Sequence, residues 1–265
     1  MASDPSLIDS LTPWLPYLRT PGGGASLSLT AAGLQSSDGE LFAVIDGLPR
    51  LLRGVAAHDS RWRWFYDLWA PFYLPVERFA ATMLLQIDLA PEQARMVRAL
   101  PIDPGARVLE VSPGPGVFQP WLAAAVGPKG ALAAVDLSSG MATQCAARTR
   151  HQAPRPLIVV GDGMALPFAD GAFDCVFHFG GIQLFADPPL ALKEFARVVR
   201  PGGHVMVGDE GFSPDIAAND RRRRLFSTIN PGFGASRPPV PPELELEDER
   251  WVYGGFAWLW TLKRR

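Results

Sequence analysis

Cysteine is scarce in this sequence, and that scarcity limits the kinds of site the chain can build. Only two cysteines occur among its 265 residues, too few for a disulfide framework or a four-thiolate metal centre. Cys145 and Cys175 both lie within predicted secondary structure, so we expect two reduced, packed thiols, as in a cytoplasmic protein. We predict no metal site.

Long apolar runs and net charge are also lacking. No apolar run approaches the roughly 18 residues of a membrane span, and the N-terminus lacks the basic start and apolar core of a signal peptide. The formal net charge of −2 gives no general attraction to nucleic acid or to an anionic membrane. We therefore expect a cytoplasmic protein that acts on a small molecule, with nucleic-acid substrates disfavoured. The sequence does not indicate the oligomeric state.

The most informative stretch is 106–118. The apolar run 107–111 predicts a buried strand, 112–116 predicts a turn, and the residues from Val117 onward predict a helix. Glycine in such a turn lets the backbone approach a ligand closely, and the start of a helix offers unpaired N–H groups. The stretch is therefore typical of a loop that holds the polar part of a nucleotide-like ligand.

Residues around this loop indicate the kind of ligand. A dinucleotide fingerprint needs a third glycine where this chain has Gln119, so pyrophosphate binding is disfavoured. Glu110, at the end of the strand, would repel a phosphate but could hold an ammonium group. Further on, the predicted strand 131–135 leads into Asp136, at the place where doubly wound folds bind ribose hydroxyls. A ribose without phosphate, together with a cation, suggests an adenosyl amino acid.

Five motifs resemble those of the class I S-adenosylmethionine (SAM)-dependent methyltransferases, especially the branch around the ubiquinone/menaquinone C-methyltransferases. They occur in the family's order at 108–116, 135–141, 161–168, 173–176 and 192–203. The resemblance spans about residues 60–265. It departs from the family at Ser112, where glycine is usual.

This resemblance implies an α/β, Rossmann-like class I methyltransferase fold, with a seven-stranded, mostly parallel sheet, helices on both faces and a small N-terminal β extension. The regular alternation of strands and helices after the loop also predicts a parallel sheet. The implied cofactor is SAM. The predicted cofactor-binding residues are Glu110, Ser112, Gly114, Gly116, Asp136, Leu137, Met141, Asp162, Gly163, Met164, His178 and Phe179.

Residues 1–55 are predicted to form a small β leader, before a SAM-binding domain over 56–265. The stretches 26–30 and 41–45 read as short strands, and Asp46-Gly47-Leu48-Pro49 as the turn that closes them.

The leader resembles the zinc ribbon that precedes some bacterial methyltransferase domains. Its two knuckle positions, 20–23 and 36–39, contain no cysteine, so they cannot form a tetrahedral thiolate site. A ribbon that has lost its metal and an unrelated β-hairpin extension both remain open.

Aromatic residues are concentrated at 58–80, and their helical spacing predicts that most of them pack in the core. A helix over about 75–89 is expected to bury Phe79, Met83, Leu84 and Ile87. The dipeptide Tyr66-Asp67 resembles one in the helices that cover the cofactor in the family. Tyr66, Tyr73 and Gly181 are the predicted substrate-binding residues.

The sulfonium of SAM activates its methyl group, so transfer needs a water-poor pocket that positions the acceptor rather than a nucleophilic side chain. A phenol or enol acceptor would gain from a base, and the candidates are His178, Asp209 and Glu210. His178 is preferred, although a hydrogen-bonded structural histidine is the alternative.

The expected function is methyl transfer to a small, fairly apolar acceptor such as a quinol, polyketide or lipid. The alternative is a SAM-binding regulatory or scaffolding protein. The sequence does not distinguish O-, N- and C-methylation.

Overall fold

The computed structural model describes residues 10–54, 57–85, 87–216, 220–229 and 237–265. Its strands are β1 (Leu27–Thr30), β2 (Gly33–Ser36), β3 (Leu41–Phe42), β4 (Val44–Ile45), β5 (Leu48–Leu51), β6 (Arg107–Val111), β7 (Ala131–Asp136), β8 (Leu157–Gly161), β9 (Phe173–Phe179), β10 (Val199–Glu210), β11 (Leu244–Val252) and β12 (Ala257–Arg264). The α-helices are α1 (Ala57–Ala80), α2 (Leu89–Arg98), α3 (Gln119–Val126), α4 (Ser139–Thr149), α5 (Pro188–Val198) and α6 (Arg221–Ile229).

The central sheet has nine strands in the order β11-β12-β10-β9-β6-β7-β8-β5-β4. The seven strands β6 to β12 are the predicted sheet, and two leader strands extend it beyond β8. Pairing is parallel from β5 across to β10, whereas β11 and β12 close the sheet as an antiparallel pair. Because β6 to β10 are parallel, their carboxyl ends meet at one edge of the sheet.

The leader is more elaborate than predicted. Its expected second strand is divided into β3 and β4, while β2 and β5 had not been predicted. Asp46 and Gly47 do form the predicted turn, with φ of 53° and 77°. Leu48 and Pro49, predicted as the rest of this turn, instead begin β5. β5 pairs with β8 through Arg50 and Leu51.

The leader also shares the main hydrophobic core. Leu11, Trp14 and Leu18 are buried in the same cluster as Leu109 and Phe168 of the following region. Trp14 meets the Phe168 ring edge-on, with ring centroids 6.3 Å apart. The predicted domain boundary, between residues 55 and 56, lies outside the described residues.

The aromatic segment differs from its prediction. α1 runs unbroken through Pro71 and Pro75 and continues into a π-helical turn at Ala81–Leu85. Phe79 and Met83, expected in the core, are 64% and 61% exposed. The prediction that most aromatic residues here pack in the core is wrong, because the helical spacing identified a face but not what lies against it.

None of the helices that the structure describes is both long enough and apolar enough to cross a membrane.

Candidate functional site

The loop after β6 turns sharply at three positions. Ser112, Gly114 and Gly116 have φ of 56°, 53° and 80°, a region that side chains other than glycine rarely adopt. A Cβ added at Gly114 would meet nothing within 4 Å, whereas one at Gly116 would come within 2.8 Å of the Cys145 Sγ atom. Gly114 therefore faces open space where a ligand can approach, and Gly116 allows α4 to pack closely.

A buried carboxylate lies beneath this loop. Glu110 is 2% exposed, and its Oε2 accepts a hydrogen bond of 2.5 Å from Gln119 Nε2. Burial raises the pKa of Glu110 to about 8, although the Gln119 bond lowers it. The buried Oε1 of Gln119 has no partner among the described residues. The pair therefore offers acceptor oxygens suited to an ammonium group.

Sequence reasoning had treated Gln119 only as a missing glycine. The signal that could have found its role is the buried Glu110 itself, because a carboxylate inside a protein needs a donor nearby.

Asp136 joins two loops at the carboxyl edge. Its Oδ2 accepts from Gly114 N at 3.0 Å and its Oδ1 accepts from Ser138 N at 2.8 Å. Burial raises the pKa of Asp136 to about 7, against the effect of these two bonds. Each carboxylate oxygen can accept a second hydrogen bond, so ribose hydroxyls can still be bound.

The turn after β8 holds the next predicted group. Asp162 Oδ1 accepts from Met164 N at 2.8 Å, a local bond that shapes the turn. Gly163 lies tightly against Phe185, since an added Cβ would come within 2.7 Å of that ring. Asp162 and Asp136 thus lie beyond neighbouring parallel strands, β8 and β7.

α1 covers this edge through a contact made by Asp67. Asp67 Oδ1 accepts from Ser138 Oγ at 2.7 Å and from Gly140 N at 2.8 Å, at the first turn of α4. A carboxylate is favourable there because a helix N-terminus has unpaired N–H groups and a positive dipole end. The half-buried Leu137 and the buried Met141 lie on either side of this contact.

Both predicted substrate tyrosines lie on the inner side of α1. Burial, with smaller contributions from Glu210, Asp136 and Asp209, raises the pKa of Tyr66 to about 12. Burial and the nearby Glu77 raise the pKa of Tyr73 well above its ordinary value. The two rings have centroids 6.4 Å apart. At neutral pH both phenols keep their protons and can donate hydrogen bonds.

His178 is buried in the core beside β6. Its side chain is 0% exposed, packs between the rings of Phe185 and Phe195, and shares a 2.9 Å hydrogen bond between Nδ1 and Val111 O. Burial lowers the pKa of His178, so the ring is neutral. This burial supports the structural alternative for His178, whose buried Nε2 has no partner among the described residues; its predicted roles in catalysis and cofactor binding stay predictions.

Asp209 organises a loop instead of facing an acceptor. It is 3% exposed, and its carboxylate accepts from the N–H groups of Gly181, Gln183 and Glu210 at 3.0, 3.1 and 2.8 Å. With three donors already bound, the predicted role as a base is not supported. Gly181 thereby contributes its N–H to this loop and cannot offer it to a substrate.

Glu210, the last residue of β10, remains the accessible candidate for a base. Its side chain is exposed, and its charge acts on both Tyr66 and Tyr73. Phe179 ends the neighbouring strand β9, half-buried against the Tyr253 ring at 5.4 Å.

Sequence reasoning missed Glu77, a carboxylate on the inner side of α1. Its Oε2 is buried without a partner among the described residues, and burial raises the pKa of Glu77 to about 7. With Gln93, Trp121 and Arg148 it lines a cavity of about 380 Å³. The available signal was an isolated acidic residue within an aromatic, apolar helix.

Comparison with known proteins identifies similar sequences. Residues 109–207 match the family described as a methyltransferase domain. The demethylmenaquinone methyltransferase of Corynebacterium kroppenstedtii is 36% identical over 152 residues, which cover 57% of this chain and 58% of that protein. A probable phthiotriol/phenolphthiotriol dimycocerosates methyltransferase of Mycobacterium ulcerans is 32% identical over 162 residues, covering 61% and 60%. The chain thus spans little more than half the length of these relatives.

Solved structures give the same fold at low sequence identity. The [4+2]-cyclase SpnF is similar with a TM-score of 0.57 at 18% identity, covering 80% of this chain and 97% of that one. A SAM-dependent methyltransferase from Aquifex aeolicus has a TM-score of 0.52 at 17% identity, covering 69% and 93%. The predicted Rossmann-like fold is confirmed. Residues 109–207 thus match a methyltransferase domain, and the surrounding sheet has the Rossmann-like fold of SAM-dependent methyltransferases.

Proposed function

We propose that the protein transfers the methyl group of SAM to a small, fairly apolar acceptor of the quinol or lipid class, in the cytoplasm. The observation that carries this proposal is the carboxyl edge of the sheet, where Glu110 and Asp136 flank a glycine loop open at Gly114. Two buried carboxylates suit a cationic ligand with a ribose and oppose a pyrophosphate.

The chain has a fitting group for each part of SAM. The acceptor oxygens of Glu110 and Gln119 hold the ammonium group, and Asp136 accepts hydrogen bonds from the ribose hydroxyls. Asp162 and Met164 flank the adenine, beyond the next strand. When bound, SAM supplies a methyl group already activated by its sulfonium, so the protein needs only to align the acceptor and exclude water.

The acceptor wall is formed by the inner side of α1 and the end of β10. Tyr66 and Tyr73 donate hydrogen bonds to an acceptor oxygen, and Glu210 takes the proton that a hydroxyl or enol loses during transfer. The buried, aromatic surroundings suit an apolar ring or chain. The acceptor class is supported by the relatives, whose names state menaquinone and phthiotriol-type substrates.

Enzymatic transfer is favoured over a SAM-binding regulatory or scaffolding role. The matching domain is a methyltransferase domain, and both relatives compared above are named as methyltransferases. Ser112, the departure from the family, keeps the positive φ of a glycine, so the loop is not distorted by the substitution.

For the leader, we propose a ribbon-like unit in which hydrogen bonds replace the metal. Thr20 Oγ1 accepts from Ala25 N at 2.9 Å and Ser36 Oγ accepts from Glu40 N at 2.8 Å, one in each knuckle-like turn. These hydroxyls hold turns that thiolates would otherwise organise around zinc.

The proposal is tested by measuring the products of methyl transfer. Purified protein, labelled SAM and a panel of quinols, polyketides and lipid-like phenols are incubated while S-adenosylhomocysteine is followed. Glu210→Gln should lower kcat about 10²-fold or more with unchanged SAM affinity. Glu245→Gln, an exposed control on β11, should have no effect. SAM binding without turnover of any acceptor would instead favour the regulatory alternative.

A further inference from the structure

The outer face of α1 and the π turn that follows it presents an unusual concentration of exposed apolar side chains. Eight of them are between 36% and 67% exposed, namely Trp64, Phe65, Leu68, Trp69, Phe72, Val76, Phe79 and Met83. We call them the apolar stripe. Their combined exposed area is on the order of 800 Å² for side chains of this size, against roughly 300–600 Å² for the largest patch on a typical monomer.

The stripe is one side of a helix with two different faces. Positions 64, 68, 72, 76, 79 and 83 follow the three-to-four-residue period of a single helical face. The opposite face carries Asp67 and Ala70, which contact the first turn of α4. The stripe is therefore directed away from the site, while the same helix walls the site with its inner face.

Charge is distributed unevenly between these faces. The two carboxylates of α1 with described side chains, Asp67 and Glu77, face inward, one bound to α4 and the other beside the cavity. Arg61 is exposed on the side of the stripe, whereas the exposed Arg78 lines the inner cavity together with Glu77. The outer surface thus combines aromatic and aliphatic groups with a cation and has no described carboxylate of α1, as in helices that lie at a membrane surface.

Further cations lie at the same edge of the sheet. In α6, Arg221, Arg222 and Arg224 are exposed. Arg222 is paired with Asp220 at 2.9 Å, and its guanidinium lies over the Phe256 ring at 4.8 Å, so the positive charge of this helix comes from the other arginines. Phe256 directly precedes β12, beside the carboxyl end of β10. A weak net charge therefore coexists with local positive charge on the side where α1 lies.

We propose that the apolar stripe docks on the surface of an anionic lipid bilayer. α1 lies flat, with Trp64, Phe72 and Phe79 in the headgroup region and Arg61 at the lipid phosphates. Because the inner face of α1 lines the acceptor wall, an apolar acceptor could pass from the bilayer to the site around the edge of one helix. This surface contact differs from a membrane span, which no described helix can form.

The test uses the full chain and vesicles of phosphatidylglycerol and phosphatidylcholine, in a flotation assay without SAM or acceptor. The protein should bind vesicles rich in phosphatidylglycerol, with a blue shift of tryptophan emission. Phe72→Ser/Phe79→Ser should weaken binding at least about tenfold at an unchanged melting temperature. Leu190→Ser/Leu246→Ser, which changes side chains 42% and 43% exposed elsewhere, is the matched control and should bind as wild type.

A charge variant keeps the proposal testable if the apolar variant fails to fold. Arg61→Glu/Arg221→Glu should weaken binding to the anionic vesicles several-fold while leaving the stripe intact. Absent vesicle binding would overturn the proposal. Equal binding by wild type, the apolar variant and the charge variant would also overturn it. So would light scattering that shows a dimer dissociated by Phe72→Ser/Phe79→Ser, since a second copy would then cover the stripe. Because neither SAM nor acceptor is present, the result is independent of methyl transfer.

Discussion

The leader and α1 both pack beside the central sheet, but the leader buries its large apolar side chains whereas α1 leaves many of its own exposed. The leader, residues 10–54, places Trp14, Leu18 and Leu34 in the core at 5%, 0% and 0% exposure. α1 has a comparable supply of large apolar side chains, yet Trp64 and Phe79 remain 67% and 64% exposed. Apolar composition alone therefore does not decide which segment stabilises the fold.

The difference comes from the element of the fold that each segment contacts. β5 meets an unpaired edge of the parallel sheet at β8 and carries the rest of the leader against the core. α1 contacts α4 along one face only, through Asp67 and Ala70. A sheet edge with unpaired N–H and C=O groups recruits a strand, whereas a helix satisfies its own backbone and can keep one face free.

The largest expected effect comes from truncating one large side chain in each region. Trp14→Ala should cost roughly 3–5 kcal/mol in the free energy of unfolding, because it leaves a cavity in the core. Phe72→Ala on α1 should change that free energy by no more than about 0.5 kcal/mol, because the side chain is exposed. Urea denaturation of the two variants measures both values, and similar losses would remove the contrast between the regions.

A second prediction uses pH to test whether Asp136, beneath α1, is shielded from water. The raised pKa of Asp136, about 7, means that its contribution to stability is complete below its ordinary pKa and is lost as pH rises toward 7. The stability of wild type relative to Asp136→Asn should therefore fall by up to about 2–3 kcal/mol between pH 5 and 7. Parallel curves from urea denaturation without SAM would mean that Asp136 is open to water.

The contact between α1 and α4 should contribute less. Asp67→Ala removes the acceptor for Ser138 Oγ and Gly140 N and should cost about 1–2 kcal/mol. Asp67→Asn, which keeps one acceptor oxygen, should recover part of that loss. Limited proteolysis within α1 should be faster in the alanine variant, and equal cleavage rates would show that Asp67 does not hold the helix.

For treatment with a metal chelator, we expect no effect on stability. No group of three or more potential metal ligands occurs in the part of the chain that the structure describes, and the knuckle-like turns are held by hydroxyls. A chelator should leave the melting temperature unchanged. Stoichiometric zinc by elemental analysis, with destabilisation by the chelator, would instead make the leader a metal-dependent unit.

Motifs and strand periodicity were sufficient to predict the central sheet. The apolar runs before Ser112 and Asp136 form buried parallel strands, and the polar residues after them meet at one edge because parallel strands point the same way. These features depend on local sequence and on a general rule of sheet geometry, so they could be read from the chain.

What could not be read was the environment of particular side chains. His178 and Asp209 lie one residue before the ends of β9 and β10, near where a catalytic group would lie, yet their burial depends on Phe185, Phe195 and the loop after β9. The exposure of the stripe is another tertiary outcome, since nothing in the spacing of α1 states what packs against it. Gln119 was visible as a residue but not as the partner of Glu110.

The central claim is that the loop over Glu110 and Asp136 binds SAM, and calorimetric titration tests it most directly. SAM and S-adenosylhomocysteine should bind at one site per chain, whereas NAD and ATP should not. Gly114→Leu should abolish binding. Gly127→Leu is its matched control, because Gly127 also has positive φ, 65° against 53°, and an added Cβ meets nothing within 4 Å there. Unaltered SAM affinity in Gly114→Leu, or binding of NAD instead of SAM, would contradict the account.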